Sequence, residues 1–134
     1  MSESPYHTKM VREISCWISN QHSDKDISIL LDIPGTPPQQ LPRIINKYRP
    51  DVFAHHPTEG NIYIGEAKTA RDLETPHSIR QIKTFLKYLS EKNKPVFIIA
   101  TTWDMGRCAK SLVTALKKQV SAENVDIEYI TVWP

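Results

Sequence analysis

The stretch from Arg49 to Thr69 reads RPDVFAHHPTEGNIYIGEAKT. Two runs of strand character, residues 44–54 and 61–69, flank the turn-rich segment HHPTEG at 55–60. A connection that short predicts an antiparallel hairpin, with Asp51 and Glu66 facing one another on neighbouring strands. Side chains alternate along a strand, so Glu66 and Lys68 share a face. Ile62 and Ile64 precede them on it, while the small residues Gly65 and Ala67 take the opposite face. The strand thus leaves an apolar core and enters a polar cleft. Two carboxylates supply the oxygen ligands that a hard divalent cation such as Mg2+ takes, and a neighbouring lysine can steady a phosphate or deprotonate water. A Glu-x-Lys pair alone is commonly a solvated strand end, so its meaning depends on what surrounds it.

Upstream, Met10, Ile14, Trp17 and Ile18 form an apolar stripe that predicts a helix over about residues 8–22. Ile27 to Asp32 alternates as a half-buried strand does. Pro34 to Pro42 holds four prolines and a glycine and can only be a loop. Downstream, Thr75 as N-cap, Pro76 at the first position and the stripe Ile79, Ile82, Leu86 and Leu89 predict a helix ending near residue 92. Val96 to Thr101 is uninterrupted in its apolar character, which suits a strand covered on both faces. A third helix from Asp104 to about Val120, carrying Met105, Cys108, Leu112, Val113 and Leu116, and a strand from Val125 to Trp133 complete the order αβββαβαβ.

At 134 residues the chain has the length of one domain, spanning 1–134, with 40% hydrophobic and 24% charged residues. The polar start MSESPYH and a longest apolar run of only Val96 to Ala100 predict neither a signal peptide nor a membrane span. Cys16 and Cys108 lack metal-ligand spacing and are expected as free, buried thiols in a cytoplasmic protein. His55 and His56 have no cysteine or further histidine at ligand spacing, which argues against zinc, and the hairpin turn should expose both. Trp17, Trp103 and Trp133 are expected in the core. Four glycines compose no phosphate-binding or dinucleotide fingerprint, so no nucleotide cofactor is expected. Net charge is only +2, but residues 43–94 hold ten Lys and Arg against six Asp and Glu, a local +4 around the hairpin.

Pro50-Asp51, then Glu66-x-Lys68 on a paired strand, then a helix with a polar flank together resemble the PD-(D/E)XK nuclease superfamily. Short motifs of this kind gain specificity from their placement on the elements. The resemblance runs from the first helix through Thr101, about two thirds of the chain. It implies an α/β, restriction-endonuclease-like αβββαβ core with a mixed central sheet flanked by helices, to which the last helix and strand are additions. It further implies a Mg2+-dependent nuclease acting on DNA, with Mn2+ able to substitute. In that reading Asp51 and Glu66 hold the ion, Lys68 assists attack on the phosphodiester, and Gln81 orients water or a phosphate oxygen. Glu13, on the first helix, matches the acidic residue with which some superfamily members, Holliday junction resolvases among them, help hold the metal. Gln81 matches a glutamine frequent in the virus-type replication-repair and exonuclease groups, although Phe85 stands where the exonuclease pattern has tyrosine. Lys47, Arg49, Arg71, Arg80 and Lys83 are candidates for backbone phosphate contacts. His77, in the first turn of its helix, could donate to a phosphate there.

A restriction-like or junction-resolving endonuclease is the subfamily expectation, and a homodimer would let such an enzyme cut two strands. The competing readings are a nuclease-fold module that binds DNA or a protein partner without cutting, and a generic α/β domain with coincidental surface acids. Three successive strands before the second helix speak against the last, which would alternate strand and helix.

Overall fold

Where neighbouring residues of the middle strands point to opposite faces, each face needs its own cover of helices, and the chain supplies one set for each. In a computed structural model describing residues 5–24 and 26–133, the elements are α1 (Pro5–Asn20), β1 (Ser28–Leu31), β2 (Val52–His55), β3 (Ile62–Ala67), α2 (Pro76–Ser90), β4 (Pro95–Thr102), α3 (Gly106–Gln119) and β5 (Asp126–Val132). This is the αβββαβαβ order expected above, with short 3-10 turns added at Pro38–Gln40 and Trp103–Met105. The protein is α/β: five strands in the order β1-β2-β3-β4-β5 form one mixed open sheet flanked by helices. Pairing is antiparallel from β1 to β3 and parallel from β3 to β5. The antiparallel register sets Val52 opposite Gly65, which brings the preceding Asp51 beside Glu66.

Met10, Val11, Ile14 and Ile18 of α1 are fully buried against Val52, Ala54, Tyr63, Ala67 and Ile98 on one face of the sheet. Ile64, Phe97 and Ile99, the alternate residues of β3 and β4, point the other way and meet Ile82, Phe85, Leu86 and Leu89 of α2 and Val113 and Leu116 of α3. Fully burying one such side chain contributes about 1.5–3 kcal/mol. β4 is covered on both faces, as its apolar run implied, and it has a parallel partner on each side. α2 begins where expected: the Thr75 hydroxyl accepts from the Ser78 amide at 3.2 Å, with Pro76 in the first turn.

Local chemistry accounts for the departures. The strand expected from residue 44 begins only at Val52, because Asn46 and Lys47 adopt positive φ (47° and 77°) in a tight turn that bridges Ile45 to Tyr48. The third helix is preceded by the tight turn at Trp103–Met105, and its inward residues are Ala109, Val113 and Leu116 rather than Cys108. Cys16 and Cys108 are free but exposed, not buried. Trp17 does pack beside the core, whereas Trp103 and Trp133 are 50% and 65% exposed. Those two rings stack on each other, 5.0 Å apart and 6° from parallel. Among the described residues no helix is long and apolar enough to cross a membrane.

Candidate functional site

The hairpin fixes its two acids by reciprocal backbone contacts. The amide of Asp51 donates to Glu66 Oε2 at 2.8 Å, and the amide of Ala67 donates to Asp51 Oδ2 at 2.9 Å. Each carboxylate is therefore held by the opposite strand. Lys68, one residue past the end of β3, sends its Nζ to within 3.4 Å of Glu66 Oε1 and donates to Gln81 Oε1 at 2.6 Å. Gln81 belongs to α2, so the helix that covers Ile64 also orients the ammonium. Asp51, Glu66, Lys68 and Gln81, singled out from the sequence, thus converge on one end of the hairpin. Glu66, Lys68 and Gln81 are all buried.

The electrostatics are those of a carboxylate pair short of positive charge. Burial, and then the charge of Asp51, push Glu66 up from 4.5 to about 8, against the smaller opposing pull of Lys68 and the Asp51 amide. A divalent cation between the two acids would offset both causes, since it supplies positive charge where water is excluded. The raised value makes the ion-free fold favour neutral Glu66. Its contribution is present below pH 4.5 and is lost as pH rises toward 8. We expect wild type to lose melting temperature relative to Glu66→Gln across that interval, and Mg2+ to flatten the difference. Parallel melting curves for the two chains at every pH would show that Glu66 is charged throughout.

The remaining expected residues divide. Glu13 lies on the exposed side of α1 and, among the described residues, makes no hydrogen bond or ion pair to Asp51, Glu66 or Lys68. The α1 residue that reaches the acids is His7, whose Nε2 is 3.3 Å from Asp51 Oδ2. Six residues separate the two, about 9 Å along a helix, so Glu13 sits too far from the hairpin end. His7 offered no sequence signal, because only the tertiary docking of α1 places it there.

Arg49 donates to the carbonyl of Pro42, tying the proline loop to the hairpin. Lys47, Arg71 and Arg80 are exposed. Lys83 lines a groove of about 440 Å³ with Arg43, Lys87 and Tyr88, over the part of α2 that follows Gln81. His77 packs edge-on against Tyr48. Trp103 and Trp133 directly follow β4 and β5, and the parallel pairing puts them at the same end of the strands as Lys68.

The histidine expectation needs correction. His55 is exposed, but His56 is fully buried, and His22 from the end of α1 lies against it with ring centroids 4.7 Å apart. With Asp24 and Glu59 they form a cluster that could hold a metal ion. Sequence spacing could not reveal it, because its two histidines are brought together only by the sheet.

No family model, curated protein or solved structure matches this chain.

Proposed function

We propose that the chain is a Mg2+-dependent nuclease with a restriction-endonuclease-like core, hydrolysing phosphodiester bonds of DNA as an endonuclease. The observation that carries the reading is the convergence of Asp51, Glu66, Lys68 and Gln81, with the two acids held by each other's strand and the lysine 3.4 Å from Glu66. The donor set fits a hard divalent cation, because buried Glu66 and partly buried Asp51 sit side by side across the hairpin, and burial together with the charge of Asp51 pushes Glu66 upward in the ion's absence. When bound by Asp51 and Glu66, Mg2+ would polarise the scissile phosphate and lower the pKa of a coordinated water. Lys68, with its ammonium 3.4 Å from Glu66, would stabilise charge developing on the phosphate oxygens. Gln81 holds that ammonium in place through its carbonyl oxygen, and its amide group remains to orient water or phosphate. The Lys83 groove and exposed Arg71 and Arg80 offer sequence-independent contacts to backbone phosphates, which would make binding salt-sensitive. The stacked Trp103 and Trp133 present an aromatic face on which an unpaired base could lie.

The purified chain, incubated with plasmid, single-stranded and branched DNA, should cut at least one form with Mg2+ or Mn2+ and none with EDTA. If every form stays intact while DNA is still retained, a binding module on this scaffold replaces the enzymatic reading.

A further inference from the structure

At the opposite end of the β2–β3 hairpin from Asp51 and Glu66, a second group of metal-ligating side chains meets. His22 follows α1, Asp24 lies in the connection to β1, and His56 and Glu59 belong to the hairpin turn. One donor atom from each of the four lies within 4.8 Å of all the others. We propose that His22 Nδ1 and the carboxylates of Asp24 and Glu59 bind a zinc ion that staples the α1–β1 connection to the β2–β3 hairpin, with His56 orienting the two carboxylates.

Three observations carry it. The first is that His22 Nδ1 is buried without a hydrogen-bond partner, in a side chain only 2% exposed, and it faces Glu59 Oε1 at 3.6 Å. A buried ring nitrogen left unpaired costs stability unless something binds it. Donor atoms about 2.0–2.2 Å from a tetrahedral zinc lie about 3.4 Å apart, so this separation requires little movement.

The second observation is the support behind His22. Its Nε2 is 2.7 Å from Tyr63 Oη, so an Nε2–H donated to that oxygen leaves the Nδ1 lone pair for the ion. Ligating histidines are commonly held by a hydrogen bond from their other nitrogen in this manner.

The third observation is the division of labour between the histidines. His56 Nδ1 accepts the amides of Thr58 and Glu59 at 3.3 and 3.0 Å, which makes Nε2 the protonated nitrogen. That N–H donates to Asp24 Oδ1 at 2.9 Å and lies 3.5 Å from Glu59 Oε2. His56 is therefore a positioning residue for both acids rather than a ligand. Asp24 and Glu59 are 46% and 50% exposed, leaving the ion's remaining position open to water. One imidazole nitrogen with carboxylate oxygens selects a borderline ion such as Zn2+ over Mg2+ or Ca2+.

The test uses the full chain, zinc titration, and metal retained after gel filtration. Wild type should keep one zinc per chain, and its melting temperature should rise by roughly 5–10 °C at a hundredfold excess over Kd. Asp24→Asn with Glu59→Gln, both half-exposed changes that leave the fold intact, should abolish retention and shift. Asp51→Asn should leave both unchanged, which separates this site from the nuclease reading. Folded wild type that retains no zinc overturns the proposal. So does retention that survives the double substitution or is lost in Asp51→Asn.

Discussion

If the chain is the nuclease proposed above, Lys68→Met should lower phosphodiester hydrolysis by about 10²–10⁴-fold, the range spanned by losing one charge-stabilising donor or one proton-transfer group. Methionine keeps the length and apolar stem of lysine, so the packing around a residue that is only 8% exposed is preserved. What disappears is the ammonium 3.4 Å from Glu66 and 2.6 Å from Gln81. Because Asp51 and Glu66 are each anchored by an amide of the opposite strand, their positions do not depend on Lys68. Mg2+ affinity, read by calorimetry, should therefore survive the substitution while turnover falls. Gln81→Ala is expected to have the same sign and a smaller effect, since it frees the ammonium to move and removes a neutral amide rather than a charge. A Lys68→Met chain that cuts DNA at the wild-type rate would remove the lysine from the chemistry and leave the acids as the whole of the site. Lost Mg2+ binding would instead make Lys68 a structural counter-ion to Glu66.

The part of this constellation that lies along one strand was legible from sequence alone, for a geometric reason. Glu66 and Lys68 share a face by strand alternation, and the short turn that makes a hairpin brings Asp51 across from Glu66. Gln81 could be placed because the stripe Ile82, Leu86 and Leu89 fixes which side of α2 meets the sheet. What stayed hidden depends on docking between distant segments. His7 reaches Asp51 only because α1 lies across the sheet with its first turn at that end, and Glu13, a better match by residue type, is carried away by the helical rise. His22 and His56 meet at the other end of the same helix for the same reason. Backbone conformation hid the true start of β2: the β-favouring Ile44 and Ile45 suggested a longer strand, but the left-handed Asn46 and Lys47 break it. Apolar residue type misplaced Trp103 and Trp133, which directly follow β4 and β5 and are exposed there.

Gly65→Ala should destabilise the fold by about 1–3 kcal/mol, the cost of forcing a methyl into a packed core. It should also depress turnover, although residue 65 touches no substrate. A Cβ built there stands 2.6 Å from Ile14 Cγ2 and 3.2 Å from Val52 Cβ. Neither atom can yield easily. Ile14 is fully buried on α1, its branched side chain has one favoured rotamer in a helix, and Val52 is the residue paired with Gly65 across the hairpin. Relief must come from moving α1 away from β3 or shifting β3 itself. Glu66 is the next residue, and a displacement of about 1 Å at a reacting centre can cost 10²-fold in rate. The clash supplies its own control, because Ile14→Ala removes the obstructing methyl and by itself leaves a cavity costing about 2–5 kcal/mol. In the double variant the new methyl occupies part of that cavity, so its loss should be smaller than the sum of the two single losses by about 0.5–3 kcal/mol. Chemical denaturation of the four chains measures that coupling. Strict additivity, or a Gly65→Ala chain as stable and as active as wild type, would mean that α1 does not press on β3 as described and that the acids owe nothing to its seat.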